Sequence, residues 1–256
     1  AVLLILIGLA SIYLYSTSFK LGNWKYDSSQ VETNNLPDKP NILLLVAEDM
    51  SARVGAFGDS LALTPNIDKL AARGVRFPNT FTTAGVCAPS RAALILGMNQ
   101  ISTGTQHMRT SGRPNGGYQS VPPPEVKAFP ELLRGAGYYT FNAAKEDYQF
   151  SGTTPGSGPF TIWDAENDPN LWRSRQKNQP FFGMVNFMET HETGLFTPLG
   201  NKPNSLIHFV MQLFRPMMVL STEGEEVDPS KISLPPYYQN TPLVRADIAR
   251  LYSNVN

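Results

Sequence analysis

The run Asn41-Ile42-Leu43-Leu44-Leu45-Val46-Ala47 most limits what this chain can become. It is apolar without interruption and has the length of a strand. That reads as a central strand of a sheet covered on both faces, as in parallel sheets flanked by helices. It stops abruptly at Glu48-Asp49. In α/β sheets, ligands gather where strands end, so an acidic pair there is a candidate for hard-oxygen cation ligands.

Helices and further strands alternate after it. Thr64 to Gly74 reads as a helix, with Thr64 as N-cap, Pro65 in the first turn and Gly74 as the stop. Val75-Arg76-Phe77 reads as a short strand. A helix is predicted over Phe129–Arg134, ended by Gly135 and Gly137, and strands over Tyr138–Ala143 and Phe181–Phe187. Thr241-Pro242 opens a last helix reaching Val255. The expected fold is α/β, a mostly parallel central sheet flanked by helices. Residues 151–180 and 192–240 lack periodicity and read as long surface excursions. Within the second, Ile207–Leu220 is apolar, suited to a helix or a membrane-facing patch.

At the front, Ala1 to Tyr15 is an apolar run with no polar face. It suits a signal-peptide core or a tilted anchor. A buried helix is the competing reading. Without an initiating Met or a basic leader the chain reads as truncated at its front. The expected organisation is a signal peptide or membrane anchor over 1–16, a polar linker over 17–39 and a catalytic domain over 40–256. Export follows, to a periplasmic, membrane-anchored or secreted location. Lysine plus arginine equals aspartate plus glutamate, at 21 each, with no basic run, which argues against a nucleic-acid partner.

The single cysteine lies in Gly85-Val86-Cys87-Ala88-Pro89-Ser90-Arg91. A lone cysteine forms no intrachain disulfide, so it is either packing or chemistry. Pro89 suits a first helical turn, the following residues continue as good helix material, and Gly97 suits the stop. Cys87 is therefore expected at a helix N-terminus, where backbone N–H groups favour an anion, with Arg91 one turn on. A low-pKa thiolate phosphatase would also use such a position. Its wider Cys–Arg spacing fails here, because position 93 is alanine.

Cys-x-Pro-Ser-Arg followed by a helix resembles the signature of the formylglycine-dependent sulfatases of the alkaline-phosphatase-like superfamily. The resemblance covers roughly residues 40–256 and is patchy between 150 and 235. Gly104–Arg109, Pro122–Pro124 with Lys127–Arg134, and Leu234–Tyr237 are similar to the bacterial heparan N-sulfatase (sulfamidase-like) group. Four departures stand out. Leu96 replaces the threonine of the usual Leu-Thr-Gly, and Glu48 replaces the first aspartate of an Asp-Asp pair. Asp147 replaces the histidine of Gly-Lys-x-His. The family's second metal pair and another lysine are expected beyond Asn256, so the C-terminal part of the catalytic domain is read as missing.

The resemblance implies a sulfuric ester hydrolase acting on an O-sulfate or N-sulfamate of a sulfated carbohydrate. A maturation enzyme would oxidise Cys87 to formylglycine; one hydroxyl of its hydrate attacks sulfur and expels the alcohol, and the other then drives sulfate off and regenerates the aldehyde. Cys87, Arg91, Lys145 and His191 are the implied catalytic residues. Lys145 holds a sulfate oxygen and His191 assists the leaving group. Glu48, Asp49 and the residue-87 oxygen are the implied ligands of Ca²⁺ or Mg²⁺. The Thr64–Gly74 helix is expected to support the site. His107 receives no assigned role, and His208 has no evident partner. Two further readings stay open: a phosphate or phosphonate ester hydrolase of the same superfamily, and a non-catalytic glycan-binding remnant.

Overall fold

A computed structural model describes residues 37–108, 118, 120–151, 161–191, 206, 209–210, 212–213 and 225–256. The expected anchor, most of the linker, His208 and most of the 207–220 run lie outside the described residues. Among the described residues no helix is long and apolar enough to cross a membrane.

The chain forms two compact units. One holds the segment up to Val46 together with Phe81–Asn186 and is built on a sheet. Its elements are β1 (Ile42–Ala47), whose last residue passes into the other unit, α2 (Cys87–Leu96), α3 (Phe129–Gly135), β2 (Tyr139–Ala143), β3 (Ala165–Glu166) and β4 (Phe181–Phe187). The strand order is β1-β4-β2-β3. β2 runs parallel to β3 and to β4, with Tyr139 opposite Phe181 and Ala143 opposite Val185. Parallel neighbours require crossover connections, and α3 with its flanking loops lies in the long stretch before β2.

The core packs Ile95 and Leu96 of α2 against Tyr138, Tyr148, Phe150, Ile162, Trp163, Phe182 and Met184. Trp163 stacks on Phe182 at 5.8 Å, and Phe129 meets the same ring edge-on at 5.1 Å. Asp164 ties the layers, accepting the Thr140 N–H at 2.8 Å and the Arg134 guanidinium at 2.9 Å. α2 ends at Gly97 in the left-handed conformation, a C-terminal cap that glycine adopts without steric cost.

β1 corrects the sequence expectation. It lies at the edge of the described sheet, with Leu43 48% and Leu45 53% exposed. An unbroken apolar run registers that both faces tolerate burial. It does not register whether both edges are paired. Val75–Phe77 forms no strand. The run is only three residues long, and Val75 and Phe77 are both exposed, so no packed surface holds it extended.

The second unit comprises Ala47–Thr80 and Phe187–Asn256 in its described parts. It contains α1 (Pro65–Arg73) and α4 (Pro242–Val255). Thr241 caps α4 as expected, its hydroxyl accepting the Val244 N–H. The Tyr252 hydroxyl of α4 donates to Asp59, and burial together with that carboxylate pushes the phenol up to about 12. Thr64 precedes α1, but its hydroxyl caps no amide of the helix. It accepts the Gly55 N–H at 2.9 Å and donates to Asp68 at 3.1 Å. Asp68 also accepts the Ala56 N–H at 2.7 Å. The Thr-Pro-Asn-Ile-Asp stretch is thus a clasp between α1 and the short helical turn at Gly55–Phe57.

Asp68→Ala is expected to destabilise this unit by about 1–2 kcal/mol, because the Ala56 N–H loses its acceptor. Asp68→Asn, which retains a carbonyl oxygen, is expected to lose less. Urea unfolding midpoints of the two variants check this, and equal losses would contradict the clasp.

Candidate active site

Cys87 is the first residue of α2. The N-cap is Val86, which offers no side-chain acceptor to the first amides. The Ala88 N–H is directed at the Cys87 sulfur instead. Pro89 adds no N–H at the third position, and the Ser90 N–H is satisfied by Val86 at 3.2 Å. The chain has thereby left one helix-terminal donor for whatever atom residue 87 carries.

The thiol is half-buried, and its pKa is raised above the ordinary thiol value of 9.0. Burial is the first cause. The Lys145 ammonium and the Ala88 N–H pull it down, while the Asp147 carboxylate, both as a charge and as hydrogen-bond acceptor, pushes it up. The unmodified group is a neutral thiol at physiological pH. This removes the thiolate-phosphatase reading on electrostatic grounds as well as on spacing. Met108 closes one side, with its sulfur 3.8 Å from Sγ.

Arg91, one turn along α2, is 5% exposed. Its guanidinium donates to Asn186 Oδ1 at 2.9 Å and to the Lys145 carbonyl at 3.4 Å. Asn186 is the hub of this layer. Its Nδ2 donates to the carbonyls of Ala143 at 2.8 Å and Lys145 at 3.0 Å, and to Asn142 Oδ1 at 3.1 Å. Asn142 Nδ2 donates in turn to the Lys145 carbonyl at 3.3 Å. The amide orientation of Asn186 is forced, since guanidinium N–H groups only donate and carbonyl oxygens only accept.

These contacts fix the loop after β2. Ala144 and Asp147 both have left-handed backbones, with φ of 71° and 58°. The Ala144 N–H is held by Asn167 Oδ1 at 2.8 Å. Between them Lys145 reaches back to form an ion pair with Asp147 at 3.5 Å, the two side chains 9% and 6% exposed. Lys145 is not a surface lysine. Cys87, Arg91 and Lys145, assigned from sequence, therefore share one polar layer at the carboxyl ends of β2 and β4. Asp147, which stands where the resemblance expects histidine, acts on the Cys87 thiol by its charge and as a hydrogen-bond acceptor.

The other unit holds Glu48, Asp49 and His191. Glu48 is 5% exposed. Its N–H donates to the Phe187 carbonyl at 3.0 Å, and its own carbonyl accepts the Thr190 hydroxyl. Those bonds stitch the end of β1 to the turn after β4, where the His191 N–H donates to Met188 at 3.1 Å. A Glu48 carboxylate oxygen and a His191 ring nitrogen lie within 4.8 Å of each other. A buried carboxylate beside an imidazole is a donor set a divalent cation can occupy; the carboxylate is the donor that suits Ca²⁺ or Mg²⁺, whereas the imidazole suits a softer ion. Asp49 is exposed and turns left-handed at φ 56°. The adjacent acids are thus unequal, one inward and one outward.

Sequence reasoning missed Asn142, Asn186 and Asn167. The first two were readable: each is a lone amide inside an otherwise apolar strand, close to its carboxyl end. His107 lies in the sheet-bearing unit, one residue from Met108.

Asn186→Ala is expected to cost about 2–4 kcal/mol, measured by denaturant unfolding, because it removes a side-chain acceptor from a buried guanidinium and the amide that ties β4 to the end of β2 and the Lys145 loop. A loss under about 0.5 kcal/mol would mean Arg91 is satisfied elsewhere. A second expectation concerns the thiol. Its raised pKa keeps it protonated as pH climbs through neutrality, with thiolate below about 1% at pH 7. Iodoacetamide alkylation of unmodified Cys87 should therefore accelerate continuously up to the ordinary thiol value of 9.0 and beyond. A rate plateau near neutral pH would show an activated thiolate instead.

Comparison with known proteins agrees with this geometry. The sulfatase family profile matches residues 40–201. An ulvan-active sulfatase of Formosa agariphila is 41% identical over 242 residues, 86% of this chain and 39% of its own. Human N-sulphoglucosamine sulphohydrolase is 27% identical over 84% of this chain and 44% of its own. The chain thus spans less than half the length of these relatives. The crystal structure of yidJ from Bacteroides fragilis shares the fold at 16% identity, with a TM-score of 0.56 over 87% of this chain and 57% of its own. With the Cys-x-Pro-Ser-Arg segment heading α2 inside an α/β sheet, the chain belongs to the sulfatase family.

Proposed function

We propose that this protein hydrolyses sulfate from a sulfated carbohydrate, using Cys87 after its conversion to formylglycine by a maturation enzyme. The observation that carries the proposal is the surroundings of residue 87. They combine a helix-terminal N–H, a buried lysine and a buried aspartate around a thiol that is held protonated. Such a thiol is a poor nucleophile, so covalent chemistry at this position calls for a different group. Formylglycine supplies that group as a hydrated aldehyde with two hydroxyls on one carbon.

The chain's own residues then divide the work. The Ala88 N–H donates to the substituent on residue 87. Asp147 accepts a hydrogen bond from that substituent and so orients it. Lys145, kept charged by Asp147, attracts a sulfate oxygen. Arg91 acts on the site through the Lys145 carbonyl, fixing the loop that presents the ammonium. His191 supplies a proton or hydrogen bond to the departing oxygen. Glu48 from its buried position, and Asp49 by turning inward from its exposed one, would contribute carboxylates to a Ca²⁺ or Mg²⁺ ion, and such an ion would supply Lewis-acid stabilisation of anionic oxygens. The relatives' names, ulvan-active and N-sulphoglucosamine-directed, support a sulfated sugar as substrate class. The apolar run Ala1–Tyr15 supports export, to the periplasm, a membrane-anchored position or the medium.

The test uses the full-length protein made together with a maturation enzyme. Trypsin releases Phe77–Arg91 as one peptide, and mass spectrometry is expected to find aldehyde at position 87. Sulfate release from sulfated oligosaccharides should accompany it and fall to background in Cys87→Ala. Turnover of an aryl phosphate in preference to an aryl sulfate would favour the phosphate ester hydrolase. Thiol throughout, with sulfate release intact, would sink the formylglycine assignment.

A further inference from the structure

We propose that His107, Met108 and Tyr118 form an uncharged ledge beside Cys87 on which a sugar ring of the substrate lies. This rests on the sulfated-carbohydrate reading above and adds the element that recognises the sugar rather than the sulfate. Met108 brings the ledge to the reacting position, its sulfur 3.8 Å from Sγ of Cys87. The neighbouring His107 ring packs against the Tyr118 ring, centroids 4.9 Å apart at 54°.

The ledge is held rigidly from beneath. The Tyr118 hydroxyl donates to the Gly104 carbonyl at 3.0 Å. Gly104 has φ +69°, and a Cβ there would stand 2.7 Å from that hydroxyl, so only glycine admits the tyrosine. The His107 Nδ1–H donates to the Met108 carbonyl at 2.8 Å. Gln149, fully buried, donates its amide N–H to the His107 carbonyl.

The upper side is open. Tyr118 is 46% and Met108 44% exposed, although both are anchored. The Tyr118 hydroxyl is fixed to backbone while nearly half of the residue's surface is solvent-accessible. With Nδ1 bound to the Met108 carbonyl, Nε2 is the ring nitrogen left to hydrogen-bond a ligand, and it has no hydrogen-bond partner among the described residues. A pyranose has apolar C–H faces that suit an aromatic ring and a thioether. Its rim of hydroxyls would donate to an imidazole nitrogen. The anion-binding charge is elsewhere, on Lys145, so ledge and anion site read different parts of one substrate. A site that accepts a substrate hydroxyl also discriminates against sugars lacking it.

The experiment is calorimetric titration of the full-length protein carrying Cys87→Ala, which prevents turnover. The probes are ulvan oligosaccharide, N-sulfoglucosamine, N-acetylgalactosamine 6-sulfate and inorganic sulfate. Added Tyr118→Ala or His107→Ala is expected to weaken the bound sugar about tenfold, the scale of one aromatic or hydrogen-bonding contact. Tyr118→Phe, which retains the ring, should restore most of the loss. The Kd of inorganic sulfate should stay within about twofold in all three, since the anion site is untouched. Parallel weakening of sugar and inorganic sulfate would show a structural role and overturn the ledge. Unchanged sugar affinity, or no sugar binding before the ledge is altered, would overturn it as well. Tyr118-dependent sugar binding in the Cys87→Ala protein, with no sulfate release by the matured protein that retains residue 87, would retain the ledge and sink the sulfatase reading.

Discussion

A guanidinium cannot lose its charge, so burying one obliges the fold to supply acceptors in fixed positions. Arg91 is that obligation in the sheet-bearing unit. Asn186 meets it with Oδ1, and its Nδ2 donates to the end of β2 and to the loop after it. Helix α2, strand β4 and the Lys145 loop are thereby locked through one amide. Cys87 rides on the same helix one turn earlier, so its position relative to Lys145 follows from the Arg91–Asn186 bond. The signature arginine, on this view, is first a positioning group. Its charge is directed into the protein scaffold rather than exposed to solvent.

The electrostatics around residue 87 follow from two groups of opposite sign. Lys145 alone would draw the thiol toward thiolate. Asp147 counters it in two ways, by neutralising the ammonium across an ion pair and by accepting the thiol hydrogen. Burial then decides the balance in favour of the neutral form. The pair is nearly dry, so the attraction between its two charges is only weakly screened. Replacing the family's histidine with aspartate therefore changes more than the identity of one proton carrier. It places a carboxylate against the Lys145 ammonium beside residue 87.

Most of the fold could be read from sequence because its signals are local. Apolar runs marked β1, β2 and β4; Pro65, Pro242, Thr241, Gly97 and Gly74 marked helix ends where helices do end. The failures came where partners are distant. Edge placement of β1 depends on what pairs with it, and the Thr64 hydroxyl bonds the Gly55 N–H and the Asp68 side chain rather than a backbone amide of its helix. In the site, motif spacing located Cys87, Arg91 and Lys145. It did not show that two asparagines from separate strands would converge on one carbonyl. Register supplies that convergence: β2 and β4 run parallel with Asn142 opposite Met184, which brings the ends of both strands to one level.

The left-handed residues at 144 and 147 explain why so many donors meet on Lys145. Each non-glycine residue in that conformation costs roughly 1–3 kcal/mol and persists only where its neighbours over-determine it. Aspartate tolerates the left-handed region better than alanine does, so Ala144 is the greater burden. It is also the residue that Asn167 clamps through its N–H, while Arg91, Asn142 and Asn186 all close on the adjacent carbonyl. A glycine at 144 would relieve the strain but would also enlarge the unfolded ensemble and loosen the loop. The chain instead keeps alanine and surrounds it with amides. That arrangement trades stability for a stiff loop, and stiffness is what a buried ammonium needs if its distance to residue 87 is to be fixed before substrate arrives.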